Sequence, residues 1–176
     1  MSGSDALIDS AVLLPLYRDA DNRLRLVIIR RGPGGFHGGQ LAFPGGRHET
    51  EDNSMLVTAL RETQEEIGLA PDNVHILAEL PPIETKATGF RIFPFLGSIT
   101  PSDWTVDKKE IVEVIDFDLQ TLTDPSLHGE EVVQYDNWPV PRLIAFYRIG
   151  NYKLWGASFR ILEPLLPRIF ADEWQI

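Results

Sequence analysis

Apolar and polar positions along this chain fall into two rhythms. From Ser54 to Ile67, the residues Leu56, Leu60, Thr63 and Ile67 recur at the three- and four-residue spacing of one helix face. Asp52 or Ser54 can cap the start of that helix, and Gly68 followed by Pro71 can end it. Other apolar stretches are short and β-like. Ala11 to Tyr17 and Leu24 to Ile29 flank Asp19-Ala20-Asp21-Asn22, whose turn chemistry predicts a hairpin. A glycine-rich loop, Gly32 to Gly39, leads into a short strand, Leu41-Ala42-Phe43, that ends in a Pro44-Gly45-Gly46 turn. Further strands are predicted at Val74 to Leu80, Arg91 to Ile99, Ile111 to Phe117 and Leu143 to Ile149, with Gly150-Asn151 turning into Tyr152 to Trp155. A C-terminal helix beginning near Gly156 would pack Phe159, Leu162, Leu166 and Ile169 inward, kinked or divided by Pro164 and Pro167. The class is α/β (α+β), with a mixed sheet, one helix mid-chain and another at the end.

The 176 residues are 43% hydrophobic and show no repeat or low-complexity linker, so residues 1–176 are expected to form a single domain. Without cysteine, disulfides, thiolate metal sites and a cysteine nucleophile are all excluded. Met1 to Asp9 lacks the basic start and apolar run of a signal peptide, and Pro15 breaks the first apolar stretch. A cytoplasmic protein is the expectation, with no membrane partner. The net charge of −10 repels polyanions, so nucleic acid is not an expected partner. A phosphate-bearing small molecule remains compatible if bound cations reverse the local field.

A place for cations lies in Arg61-Glu62-Thr63-Gln64-Glu65-Glu66-Ile67-Gly68-Leu69. On a helix Glu62 neighbours both Glu65 and Glu66, and like charges at this spacing cost about 0.2–0.5 kcal/mol per pair. Arg61, four residues before Glu65, offers one compensating cation. An acidic stretch of this kind can simply be a solvated helix face. Here it follows the Phe43-Pro44-Gly45-Gly46 turn, which can bring backbone carbonyls beside the carboxylates, and all-oxygen ligation suits Mg²⁺ or Mn²⁺.

Gly46, Asp52 and Arg61-Glu62-x-x-Glu65-Glu66-x-Gly68-Leu69 together resemble the Nudix box, a loop–helix–loop motif whose glutamates bind catalytic metal. Counting back from Arg61 by the usual spacing puts Asn53 where the first glutamate of the box is expected; Asp52 fits with one extra residue. The flanks resemble the coenzyme A diphosphatase branch, whose signature R-S-x-x-L-R-x-H-x-G-Q runs into A-F-P-G-G. Arg30, His37, Gly39 and Gln40, then Ala42-Phe43-Pro44-Gly45-Gly46, match it, whereas Gly34 and Gly35 stand at its Leu and Arg, and Arg31 at its small residue. Thr88-Gly89-Phe90, Glu110-Ile111-Val112-Glu113-Val114 and Trp155-Gly156 are similar to the same branch, in the same order.

The resemblance implies the Nudix fold, a mixed β-sheet sandwiched between α-helices, and metal-dependent hydrolysis of a diphosphate bond in a nucleoside diphosphate derivative. It implies Mg²⁺ or Mn²⁺ on Gly46, Glu62, Glu65, Glu66 and Glu110, with Arg61 and Glu113 joining the three box glutamates in catalysis. Glu65, Glu66, Glu110 and Glu113 all stay open as the base. Arg30, His37, Gln40, Gly89 and Phe90 are the implied substrate contacts. Coenzyme A or an acyl-CoA is the implied substrate, with ADP-ribose or another nucleoside diphosphate sugar as the alternative, and a non-catalytic nucleotide-binding regulator as the reading from another class. A homodimer is compatible with all of these.

Several of these residues also have plainer readings. Arg30 and Arg31 suit phosphate as guanidinium forks, or are exposed charges at a strand end. Glu110 and Glu113 have Lys108 and Lys109 nearby for surface pairing. Phe90, Phe93, Trp138, Tyr147 and Trp155 can stack a base or pack a core.

Overall fold

The computed structural model describes residues 7–34, 38–85, 88–135 and 138–176. The hairpin expected at the start is present: β1 (Ile8–Arg18) and β2 (Leu24–Arg31) pair antiparallel. Its turn forms because the Asp19 carboxylate accepts from the backbone N–H groups of Asp21 and Arg23, both at 2.9 Å, while Asn22 takes the left-handed conformation at φ 61°. The short segments β3 (Leu41–Ala42) and β4 (Gly45–Arg47) come next. Pro44-Gly45-Gly46 is therefore not simply a turn, since Gly45 and Gly46 pair with Val12 and Ala11 of β1. Helix α1 (Met55–Ile67) follows, then β5 (Val74–Glu79), β6 (Ile83–Thr85), β7 (Phe90–Ile99) and β8 (Ile111–Asp118).

These strands make an eight-stranded sheet with the path β3-β2-β1-β7-β5, to which β4 adds at β1, β6 at β7 and β8 at β2. The β1–β7 pair is parallel and the others antiparallel, giving the mixed sheet expected. A second, three-stranded sheet holds β9 (His128–Val133), β10 (Arg142–Ile149) and β11 (Tyr152–Trp155) in the order β11-β10-β9. The chain ends in α2 (Gly156–Leu162) and α3 (Leu166–Phe170), separated by a 3-10 turn that begins at Glu163-Pro164. The division at the prolines is as the sequence predicts.

Both faces of the large sheet are covered, which is why β1 and β2 read as continuous apolar runs. Ala11, Leu13, Val27 and Ile29 pack with Ala59 and Ile67 of α1. Leu14, Leu16, Leu26 and Ile28 pack with Ile161, Leu162, Leu166 and Ile169 at the C-terminus. Helix α1 starts at a Ser54 cap that accepts from the Val57 N–H and ends at Gly68 in the left-handed conformation, φ 75°. Its buried face differs from the expected one: Ala59, Thr63, Glu66 and Ile67 are buried, and Leu56 and Leu60 only half-buried. Small residues let the helix sit close to the sheet, and Thr63 satisfies its hydroxyl on the Ala59 carbonyl at 2.7 Å. That rotation carries Glu66 inward. Among the described residues no helix is long and apolar enough to cross a membrane.

Candidate active site

Strand β4 and helix α1 build the site between them. Glu66 is 2% exposed, and its carboxylate accepts the Gly45 N–H at 2.9 Å. Burial pushes its pKa up to about 8, with Glu62 and Glu110 pushing the same way against Arg31 and the Gly45 N–H. Burial also raises the Glu62 carboxyl, against the pull of Arg61, with Glu65 and Glu110 adding to the rise. Burial and neighbouring carboxylates thus act together against ionisation of Glu62 and Glu66.

The two glycines of β4 serve different ends. A Cβ on Gly45, which sits at φ 149°, would lie 2.2 Å from the Ala11 carbonyl oxygen; on Gly46 it would lie 2.4 Å from the Glu62 carboxyl carbon. Backbone cannot yield as a side chain can. Gly45→Ala is therefore expected to destabilise the sheet strongly, whereas Gly46→Ala keeps a cooperative melt and displaces Glu62, lowering kcat. Thermal melts and turnover on both variants check this, and a folded, active Gly45→Ala would contradict it.

Arg61 is the organiser. Its Nε and Nη2 take both oxygens of Asp52 at 2.9 Å, Nη1 reaches Glu62 at 3.0 Å and Glu65 at 3.2 Å, and Nη2 donates to the Arg47 carbonyl at 3.1 Å. Asp52, its side chain 4% exposed, also accepts from the Thr58 hydroxyl at 2.8 Å and the Glu49 N–H at 3.1 Å. The Arg61 fork holds the Asp52 carboxyl far below the usual carboxylate range, and Asp52 holds Arg61 far above the usual guanidinium range. Asp52, offset by one residue in the sequence pattern, is thus the partner of Arg61.

These groups face a cavity of about 930 Å³. Glu62, Glu65, Glu66, Glu110, Arg61 and Gly46 line it, as do Gln40 and Phe90 among the expected substrate contacts. Arg30, Gly89 and Glu113 do not line it. Arg30 lies opposite Glu113 in the β2–β8 register and pairs with it at 3.1 Å; Tyr152 donates to the same carboxylate at 3.2 Å and lies under the Arg30 guanidinium. The next residue, Arg31, on the other face of β2, lines the cavity instead and donates to the Gly45 carbonyl at 3.3 Å. Strand alternation makes this choice, because one residue along a strand reverses the face. Gly89, at φ 70°, shapes the β6–β7 turn that presents Phe90. His37 lies outside the described residues.

Sequence patterns did not single out Arg47, Arg142, Arg160 or Tyr135, all of which line the cavity. Trp138 and Trp155 line it too, whereas Phe93 and Tyr147 pack on the core. Arg31, Arg47, Arg142 and Arg160 pair with no carboxylate among the described residues. Away from the cavity, by contrast, Arg18 pairs with Asp172, Arg25 with Asp116, Arg91 with Asp9 and Arg168 with Glu173. Cationic charge left uncompensated in an acidic protein is available to a ligand anion.

Comparison with known proteins agrees with this architecture. The NUDIX domain family matches residues 8–141. A protein of Salmonella paratyphi B described as an uncharacterized Nudix hydrolase, NudL, is 32% identical over 170 residues, covering 91% of this chain and 82% of its own. Among solved structures, a MutT/nudix family protein from Enterococcus faecalis superposes with a TM-score of 0.67 at 18% identity over 97% of this chain; the chain spans 65% of that protein's length. The NUDIX domain of Shewanella oneidensis NrtR, solved with ADP ribose, gives 0.56 at 16% identity over 68% of this chain and 77% of its own. At such identities these structures bear on fold alone.

Proposed function

The chain belongs to the Nudix hydrolase family, whose chemistry is hydrolysis of the diphosphate linkage of a nucleoside diphosphate derivative, and we propose that its substrate is coenzyme A or an acyl-CoA. The observation that carries this reading is the cavity: about 930 Å³, with the carboxylate cluster in its wall and four arginines around it, Arg31, Arg47, Arg142 and Arg160, that form no carboxylate ion pair among the described residues. An elongated substrate with more phosphate than one diphosphate bridge needs both the room and the cations. The Gln40 and Ala42-Phe43-Pro44-Gly45-Gly46 run supports the same branch.

Oxygen donors of Glu62, Glu65, Glu66, Glu110 and Gly46 suit Mg²⁺ or Mn²⁺, and the raised carboxyls of Glu62 and Glu66 are those a cation would bring back to the charged form. Among the described residues no three acidic or imidazole groups already converge as ligands. Arg61 holds Glu62 and Glu65, and those contacts would be exchanged for the ion. A cation held there would supply positive charge against the anhydride oxygens and would lower the pKa of water. Arg31 and Arg47 bind the diphosphate oxygens. A water oxygen bonds to one phosphorus, the bridging P–O bond breaks, the bridging oxygen leaves with the other phosphate, and a carboxylate takes the water's proton. Glu65, Glu66 and Glu110, which line the cavity, are the candidates for that step; Glu113 is held by Arg30 and Tyr152. The products are 3′-phosphoadenosine 5′-phosphate and (acyl-)phosphopantetheine.

The discriminating experiment compares kcat/KM for CoA, acyl-CoA, 3′-dephospho-CoA and ADP-ribose with Mg²⁺ and Mn²⁺. CoA or an acyl-CoA should lead. If ADP-ribose is turned over far faster than CoA, the substrate is a nucleoside diphosphate sugar, and binding without turnover of any would indicate a regulator.

Acidity adds a stability test. Glu66 titrates near 4.5 when unfolded and at about 8 when folded, so its contribution is fully present at low pH and is lost as pH rises through that window. In chelated buffer the melting temperature should fall from about pH 5 to about pH 8, more steeply in the wild type than in Glu66→Gln. Millimolar Mg²⁺ should restore it at the alkaline end, and much less in Glu62→Gln/Glu66→Gln. Parallel pH profiles and equal shifts would place the cation elsewhere.

A further inference from the structure

A second built feature faces the same cavity. Gln134 clips the turn after β9, its side-chain amide donating to the carbonyls of Tyr135 and Trp138, each at 2.8 Å, while the Trp138 N–H donates to the Tyr135 carbonyl at 2.9 Å. The turn thereby sets two rings against Trp155 at the end of β11. Tyr135 lies parallel to Trp155, with an interplanar angle of 8° and centroids 5.5 Å apart, and Trp138 meets Trp155 edge-on at 6.2 Å. Arg142, the first residue of β10, lays its guanidinium 4.8 Å from the Trp138 ring centre. All four side chains line the cavity.

We propose that Trp138 and Arg142 form a subsite for a phosphorylated nucleoside, the rings of Trp138 and its neighbours Tyr135 and Trp155 taking the base and Arg142 taking a phosphate on the ribose that is separate from the diphosphate bridge. Three properties support this. The half-buried rings of Trp138 and Trp155 and the exposed ring of Tyr135 line the cavity, and such rings receive flat heterocycles without demanding a particular pattern of hydrogen bonds. A guanidinium stacked on indole keeps its N–H groups directed outward in its own plane, where a phosphate oxygen pair fits. Among the described residues Arg142 has no carboxylate partner, so binding breaks no ion pair there. Arg30, an implied substrate contact by its match to the sequence signature, is instead paired with Glu113 and lies off the cavity wall. The subsite gives the CoA reading a residue for the 3′-phosphate and rests on that reading for its biological substrate, though its ligand chemistry does not depend on turnover.

Titration calorimetry of the full chain with adenosine 3′,5′-bisphosphate and with 5′-AMP separates the two questions. The wild type should bind the bisphosphate about tenfold or more tightly than AMP, as expected for one charge-assisted contact. Arg142→Gln, at an exposed position, should bring the two affinities within about twofold while leaving AMP unchanged. Trp138→Leu should weaken both ligands by a similar factor. A wild type indifferent to the 3′-phosphate, or a preference that survives Arg142→Gln, overturns the subsite. If the preference tracks Arg142 while ADP-ribose is hydrolysed faster than CoA, the substrate reading fails and the subsite stands. Rapid CoA turnover with a preference indifferent to Arg142 gives the converse.

Discussion

Glu66→Gln should lower kcat by on the order of 10²–10⁴-fold, the range for losing a group that stabilises charge or moves a proton in the transition state. The amide keeps the shape of the side chain, and its oxygen can still accept the Gly45 N–H, so the β4–α1 contact survives. What disappears is a buried carboxyl, influenced by Glu62 and Glu110, that a cation would bring to its charged form. The variant also escapes the cost of ionising a buried carboxyl, so in chelated buffer near pH 8 it should melt no lower than the wild type. Activity and stability are thus expected to move in different directions, which a mere packing defect would not produce. Near-normal turnover would take Glu66 out of the chemistry.

Asp52→Ala has the larger expected effect on the fold. It strands the Arg61 guanidinium against Glu62 and Glu65 without the bidentate anchor that fixes its plane, and it leaves the Thr58 hydroxyl and the Glu49 N–H without their acceptor. Breaking a buried pair by deleting one partner costs about 3–5 kcal/mol, and the partial exposure of Arg61 favours the lower end, about 3 kcal/mol. Because the two residues act as a unit, Asp52→Ala, Arg61→Ala and the double variant should lose comparable stability instead of additive amounts. Denaturant melts of the three measure this directly, and strict additivity would show that the pair is not coupled. Turnover should fall as well, since Arg61 positions two of the cluster's carboxylates, and Asp52→Glu should recover part of it.

Residues whose placement follows from local spacing were legible without the structure. Glu62, Glu65 and Glu66 share a neighbourhood because helices bring together positions three and four apart, and the Asp19 to Asn22 turn dictated the first hairpin. Asp52 was placed only ambiguously: it lies before the helix, where no fixed period relates it to Arg61, and only the bend of the 48–53 segment brings the two together. The choice between Arg30 and Arg31 was hidden for a different reason. Strand β2 is buried on both faces, so its apolar run carries no alternation from which to tell which face meets the cavity. β9 was missed because His128-Gly129-Glu130-Glu131 is polar and lies on a sheet edge, where burial is shallow. Arg142 and Tyr135 could not be found by motif, since they reach the cavity from the start of β10 and from just beyond the end of β9. The Trp138-Pro139-Val140-Pro141-Arg142 run, with stiff prolines between an aromatic and a cation, was the signal available.

The most direct test of the central claim is product analysis after incubating the protein with CoA and Mg²⁺ or Mn²⁺. A metal-dependent diphosphate hydrolase releases 3′-phosphoadenosine 5′-phosphate and phosphopantetheine in equal amounts, stops on chelation and resumes when the cation is returned. Absence of both products with either metal, or their release at an unchanged rate in excess chelator, would contradict it.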